Sequence, residues 1–232
     1  METKPTLYVL AGPHGSGKSR SSRWLVPAGT PYIAFGEMDL DLKREHPELT
    51  PDARWGVIAD YSKAEWRKAL TGKTSFAVET HFRSVRERDA IVRGFIEPFQ
   101  EAGHRTVLHL FGLDHLVESI KRVERRVLEG GYGVLKEAIP QSFFTGPGLL
   151  KKDLLLFDQV NFIHAQAARV ELFAILLKES RERLEMGDRP AWYHRDYRQK
   201  VEDLYPYRTL AHYIDPSMSQ NQGQGFTKGL WL

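Results

Sequence analysis

The sequence contains no cysteine, no long hydrophobic run and no large excess of charge of one sign. The lack of cysteine excludes disulfide bonds, thiolate metal sites and cysteine nucleophiles together. The longest apolar run, Leu172 to Leu177, is far too short to cross a bilayer, and no secretory signal is recognisable. We therefore expect a cytoplasmic protein without a membrane partner.

The charge balance argues against nucleic acid as the main partner. Lys and Arg total 33 and Asp and Glu total 30, so the formal net charge is only +3. The isoelectric point of about 9.0 would by itself favour a nucleic-acid ligand. Because the two signs of charge are interleaved along the chain, the field of the protein is weak, and we expect nucleic acid to be an unlikely ligand. The nine histidines show no metal-ligand spacing either.

Apolar runs alternate with amphipathic segments over the first two thirds of the chain. Strands are predicted at 6–11, 32–35, 75–78, 106–111, 160–163 and 170–174. Helices are predicted at 18–25, from Thr50-Pro51 to about residue 70, from the Ser84 capping box to about residue 102, and after Asp114 as N-cap. The last of these helices carries Val117, Ile120, Val123 and Val127 on one face. This alternation predicts an α/β fold with a mostly parallel sheet, in which ligands bind beyond the carboxyl ends of the strands.

The composition changes after about residue 178. Residues 1–178 are predicted to form the main domain, 179–214 a helical or irregular C-terminal extension, and 215–232 a polar, disordered tail. The extension contains an aromatic group with two open interpretations: it stacks nucleic-acid bases, or it packs a peripheral helix, which is the commoner use. Its members are Trp192, Tyr193, Tyr197, Tyr205 and Tyr207.

Residues 12–19 match the phosphate-binding motif G-x-x-x-x-G-K-[ST] in full, between a predicted strand and a predicted helix. The residues are Gly12, Pro13, His14, Gly15, Ser16, Gly17, Lys18 and Ser19. Glycines let backbone N–H groups surround phosphates, and the following helix directs its positive end at them. Lys18 is expected to reach the β- and γ-phosphates, and Ser19 to bind Mg²⁺ through its hydroxyl. The motif predicts ATP and Mg²⁺ as cofactors but does not separate kinases from ATPases.

Acidic and basic residues follow at places where a kinase would need them. Glu37, Asp39 and Asp41 come after the second strand, and Glu79-Thr80 ends the third. A kinase requires a carboxylate that accepts the proton of the attacking hydroxyl. Arg122 and Arg126 lie on a helix that ends at Gly130-Gly131, where they form either a solvated basic face or a lid over the phosphates.

Together these segments resemble the zeta-toxin family of P-loop kinases, from about residue 6 to about residue 163. The similarity rests on the phosphate loop, on the strand 75–80 (SFAVET), and on 122–134 (RVERRVLEGGYGV). The resemblance implies a three-layer, nucleoside-kinase-like sandwich. It also implies transfer of the ATP γ-phosphate to a hydroxyl of a nucleotide sugar such as UDP-N-acetylglucosamine, and an antitoxin protein as inhibitory partner.

The resemblance also implies roles for individual residues. Asp39 corresponds to the catalytic base, with Asp41 as an open alternative. Arg122 and Arg126 correspond to the basic lid residues. The substrate-binding positions are Glu37, Glu79, Thr80 and Arg83.

The sequence departs from the family pattern at four places. Glu37 replaces the usual Asn, Tyr132 replaces the His after two glycines, Ser142-Phe143 replaces an Arg-Tyr pair, and residues 164–166 (HAQ) replace Asp-Asn-Ser. Two further hypotheses therefore stay open: a kinase acting on a nucleic-acid end, and an ATP-binding module without catalytic activity.

Overall fold

The computed structural model describes residues 4–165 and 170–205, which contain a seven-stranded mixed sheet. The strands are β1 (Thr6–Ala11), β2 (Tyr32–Ile33), β3 (Phe76–Thr80), β4 (Arg105–Gly112), β5 (Gln159–Ala165), β6 (Val170–Leu177) and β7 (Glu182–Glu185). The helices are α1 (Lys18–Leu25), α2 (Phe35–Glu45), α3 (Pro51–Gly72), α4 (Val85–Ile91), α5 (Glu97–Glu101), α6 (Leu116–Leu128), α7 (Ala138–Asp153), α8 (Ala191–Asp196) and α9 (Arg198–Leu204).

The order of the strands is β2-β3-β1-β4-β5-β6-β7. The first five in this order are parallel, whereas β6 and β7 add antiparallel pairs at one edge. Strand β1 lies between β3 and β4, so the loop after β1 opens at the middle of the carboxyl edge of the parallel part. This is the position at which parallel α/β sheets bind ligands.

Helices cover both faces of the sheet, as the alternation of side chains in β1 shows. Leu7 and Val9 are fully buried in one hydrophobic cluster, and Leu10 is fully buried in the other. Successive side chains of a strand point to opposite faces, so burial of both sets requires a layer of helices on each side. The predicted three-layer α/β fold with a mostly parallel sheet is confirmed.

Two predicted helix starts are confirmed by their capping contacts. The Thr50 hydroxyl accepts a hydrogen bond from the amide of Ala53, with Pro51 at the first helical position. The Ser84 hydroxyl accepts one from the amide of Glu87. The helix that Ser84 begins is interrupted, because a π-helical segment (Val92–Ile96) separates α4 from α5.

Three local predictions need correction. Strand β2 ends at Ile33, and the residues after it form α2, so Glu37, Asp39 and Asp41 lie on a helix rather than beyond a strand end. Asp114 does not cap α6, because its carboxylate accepts a hydrogen bond from the Trp192 amide. On the predicted apolar face of α6, Val117 and Val127 are 59% and 47% exposed, because the side that the helix buries is centred on Ser119 and Val123.

The residues after 178 join the main sheet and core. Strand β7 pairs with β6, and the rings of Trp192, Tyr193 and Tyr197 pack around Phe162 and Phe173. These three rings and Tyr205 are at most 2% exposed, so the packing interpretation is confirmed for them and base stacking is wrong. Tyr207 and the tail predicted to be disordered lie outside the described residues. No described helix combines the length and apolarity that a membrane crossing requires.

Candidate active site

The phosphate loop joins β1 to α1 and has the backbone that its glycines permit. Gly15 and Gly17 have φ values of 74° and 83°, in the left-handed region that favours glycine. A Cβ atom on Gly15 would lie 2.9 Å from the carbonyl oxygen of Ser119, so the loop packs directly against α6. Within the described chain, no acceptor lies within hydrogen-bond distance of the amides of Gly15, Gly17, Lys18 and Ser19. These amides therefore present N–H groups at the positive end of α1.

Side chains of α6 and α7 hold the outer side of this loop. Ser119 Oγ donates a hydrogen bond of 2.5 Å to the carbonyl of His14, and Arg122 donates one of 3.3 Å to the carbonyl of Gly15. On the other side, the His14 amide donates to Ser142 Oγ over 3.2 Å. The loop is thus bound at three points by residues that lie over 100 positions later in the chain.

Lys18, Ser19 and Glu79 form the centre of the site. Glu79 lies near the end of β3 and is 8% exposed. Its carboxylate accepts hydrogen bonds of 2.7 Å from both Ser19 Oγ and Tyr32 Oη, and it lies 3.7 Å from Lys18 Nζ. Burial lowers the pKa of Lys18 to about 8, although the attraction of Glu79 opposes that shift. Lys18 Nζ also donates to the carbonyls of Gly12 and Pro13, both at 2.9 Å.

The three carboxylates of α2 have different surroundings. Burial and then the charge of Glu79 raise the pKa of Glu37, whereas the nearby Ser19 hydroxyl lowers it. Asp39 points to α3, where its carboxylate lies 2.7 Å from Nε of the buried Arg54. Asp41 is solvated, with its side chain 65% exposed. Of the three, Asp39 is held by an ion pair beside the site, whereas the pKa of Glu37 responds to Glu79 at its centre.

Arg122 and Arg126 lie on the buried side of α6, so the solvated-face interpretation is wrong. Arg122 donates hydrogen bonds to the carbonyls of Gly15 and Ala165 and to the carboxylate of Glu118. Arg126 Nε donates to the carbonyl of Tyr132 over 2.9 Å, and the guanidinium carbon lies 3.6 Å from the centroid of the Tyr132 ring. After burial, the positive charge of Arg126 also lowers the pKa of Lys18.

The turn after β3 is organised by Glu87, which sequence reasoning missed. Glu87 accepts hydrogen bonds from Thr80 Oγ1, from the amides of His81 and Arg83, and from Arg83 Nε. The turn contains Phe82, which is fully buried at a φ of 53°, a conformation that costs energy for an aromatic residue. Glu87 thereby fixes Thr80 and Arg83, the predicted substrate-binding residues, in the turn that follows Glu79.

His14 of the phosphate loop and His81 bring their imidazole rings into contact, with ring centroids 3.8 Å apart and the planes tilted by 48°. Burial lowers the pKa of His14 to about 3, and the charges of Lys18, Arg83 and Arg126 act in the same direction. His81 Nδ1 lies 3.2 Å from the Gly12 carbonyl, an acceptor, so this nitrogen carries the proton. Both rings are therefore neutral at physiological pH.

The residues present fit both predicted cofactors. Unpaired amides at the start of α1, the Lys18 ammonium and a buried, unpaired Nη2 of Arg126 are the donors that phosphate oxygens require. Ser19 Oγ and the Glu79 carboxylate are hard oxygen donors, which Mg²⁺ prefers. The described residues contain no cluster of three or more His, Cys, Asp or Glu suited to a metal ion. Mg²⁺ commonly uses one or two protein oxygens together with substrate phosphates.

Comparisons with known proteins support the fold. No family model and no curated protein matches the sequence. Among solved structures, the AvrRxo1-ORF1:AvrRxo1-ORF2 complex with sulphate ions has a similar chain, with 15% identity, a TM-score of 0.62, and coverage of 84% of this chain and 64% of that one. The corresponding complex with ATP gives 16% identity, a TM-score of 0.58, and coverage of 76% and 60%.

A chain of the Pnkp1/Rnl/Hen1 RNA repair complex is similar over 66% of this chain and 47% of its own length, with 21% identity and a TM-score of 0.50. The present chain thus spans about half to two thirds of the chains it matches. At these identities the likeness concerns the fold alone, and it agrees with the predicted P-loop kinase-like architecture.

Proposed function

We propose that the protein is an ATP-dependent phosphotransferase that moves the γ-phosphate to a hydroxyl group. The observation that carries the proposal is the convergence of Lys18, Ser19 and Glu79 at the carboxyl ends of β1 and β3.

The chain's own residues supply binding, charge compensation and a proton acceptor. The amides at the start of α1 and the Lys18 ammonium would bind phosphate oxygens, and Arg126 would compensate charge that develops during transfer. Mg²⁺, when bound at Ser19, supplies further charge neutralisation on the phosphates. Glu79 keeps Ser19 and Lys18 in place through direct contacts.

The proton acceptor is a carboxylate of α2. The resemblance to zeta-toxin kinases favours Asp39, whereas the contacts favour Glu37, because Arg54 holds Asp39 toward α3. A general base needs to reach the acceptor hydroxyl within about 3 Å, directly or through one water. Asp39→Asn and Glu37→Gln separate the two assignments, since each replacement keeps the size of the side chain and removes its basicity.

The first acceptor to test is UDP-N-acetylglucosamine, which the resemblance implies. Labelled ATP and Mg²⁺ are incubated with this acceptor and the native chain, with Lys18→Ala and the two α2 variants in parallel. Product from the native chain and none from Lys18→Ala supports the proposal. ATP binding without product on UDP-N-acetylglucosamine, free sugars or nucleic-acid ends would instead favour the non-catalytic module.

An inhibitory partner protein is also part of the proposal. It rests on the same resemblance and on a chain of similar fold in the two-protein AvrRxo1-ORF1:AvrRxo1-ORF2 complex. Such a partner would lower ATP affinity if it covers the loop at residues 12–19.

A further inference from the structure

The segment that follows α6 crosses the site and contacts α2 at two points. Arg44 of α2 donates a hydrogen bond of 2.6 Å to the carbonyl of Gly130. Two residues later, the Tyr132 ring lies against Gly36, where a Cβ atom would approach ring carbon Cε2 to 2.5 Å. Glycine at position 36 is therefore what allows the tyrosine ring to occupy this place.

The same tyrosine holds Arg126 through two separate groups. Its carbonyl accepts the Nε hydrogen bond, and its ring stacks on the guanidinium at 3.6 Å. Helix α6 ends in a turn that sets this arrangement: Gly130 has a φ of 82°, and the Gly131 amide donates to the Arg126 carbonyl over 2.8 Å. Tyr132 thus fixes both the direction and the plane of the guanidinium.

Arg126 keeps one donor without a protein acceptor. Its Nη2 is buried, and no group among the described residues accepts a hydrogen bond from it. Arg122, by contrast, donates from both of its Nη atoms, to two carbonyl oxygens and to Glu118. Arg126 lies one helical turn after Arg122, which bonds the Gly15 carbonyl of the phosphate loop. Since leaving a buried charged donor unpaired is costly, the orphan Nη2 indicates an anionic ligand beside that loop.

We propose that Tyr132 is a positioning residue that clamps Arg126 between α2 and the phosphate loop, so that Nη2 meets the terminal phosphate of a nucleoside triphosphate. The inference rests on the proposed use of ATP, but not on the transfer step. It assigns to Tyr132 a preference for triphosphate over diphosphate, because a contact with the terminal phosphate is one that ADP cannot make.

The test measures dissociation constants for ATP and ADP, each with Mg²⁺, by calorimetry. Arg126→Ala is expected to reduce the preference for ATP over ADP on the order of tenfold. Tyr132→Ala should lose most of the same preference, and the double variant should lose no more than Arg126→Ala alone, because the two residues act as one unit. Tyr132→Phe keeps the ring and the backbone carbonyl, so it should retain the preference.

Gly36→Ala perturbs the clamp from the opposite side. It should reduce the preference in the native background by displacing the ring, and have no further effect in Tyr132→Ala. Arg125→Ala is the matched control, since Arg125 is on the same helix with 80% of its side chain exposed. Equal affinity of the native chain for ATP and ADP, a native-like preference in Tyr132→Ala, or additive losses in the double variant would each overturn the inference. The expected pattern without phosphoryl transfer would leave the inference standing and refute the proposed function alone.

Discussion

Replacing Lys18 with methionine is expected to stabilise the protein while abolishing ATP binding. The side chain is almost fully buried, and burial lowers its pKa from 10.5 to about 8. At 1.36 kcal/mol for each tenfold change, the folded state disfavours the ammonium by roughly 3 kcal/mol. Methionine is similar in length and carries no charge, so it removes this penalty.

Two effects limit the gain. The hydrogen bonds from Nζ to Gly12 and Pro13 are lost, which offsets about 1–2 kcal/mol. Glu79 loses a cation, but its carboxylate keeps the hydrogen bonds from Ser19 and Tyr32 and is not left unpaired. We therefore expect a net stabilisation of about 1–2 kcal/mol at pH 7.

The pH dependence of stability provides an independent test of the lowered pKa of Lys18. An unfolded lysine keeps its proton to a pKa of 10.5, whereas folded Lys18 releases it near 8. The native chain therefore gains stability as the pH rises from 8 to 10.5, and the advantage of Lys18→Met shrinks over the same window.

Urea unfolding at pH 7, 8 and 9.5 measures both effects, with the exposed Lys121→Met as control. A destabilisation of Lys18→Met by more than about 1 kcal/mol at pH 7, or a difference that does not change with pH, would refute the reasoning.

Three further outcomes are expected. Gly15→Ala should cost about 1–3 kcal/mol and weaken ATP binding, because its Cβ meets the Ser119 carbonyl at a φ of 74°; thermal melting and calorimetry measure this. His109 is buried, and burial lowers its pKa to about 4. The free energy of unfolding of the native chain should therefore fall by roughly 3 kcal/mol as the pH drops from 6.5 to 4. In urea titrations at acid pH, His109→Gln should show a smaller fall. Arg88→Met removes the two hydrogen bonds to the buried Asp153 and should destabilise by about 3 kcal/mol in chemical denaturation, with partial recovery in Arg88→Met/Asp153→Leu.

Features that depend on neighbours in sequence could be predicted from the sequence. The phosphate loop, β1 and α1 form one continuous unit whose residues determine its backbone, and the caps at Thr50 and Ser84 need only residues three positions away. The predicted extension of strand β2 beyond Ile33 was wrong, because local sequence does not decide the structure there. A short apolar run there reads equally well as strand or helix, and packing of α2 on α3 decides it.

The side to which a side chain turns required the tertiary structure. The valines of α6 predict a buried apolar face, yet Val117 and Val127 are exposed. The helix buries Ser119 instead, because Gly15 allows the phosphate loop to pack there. The sequence does not show which way the carboxylates of Glu37 and Asp39 turn. The ion pair with Arg54 of α3 holds Asp39 away from the phosphate loop.

The sequence by itself determined a nucleotide-type phosphate loop in a mostly parallel α/β sheet, because these are local patterns of residue type and spacing. Only the tertiary structure decided which acids and arginines meet at that loop. Contacts such as Ser19 with Glu79, or Tyr132 with Gly36, join residues 60 or more positions apart in sequence and depend on the packing of whole elements.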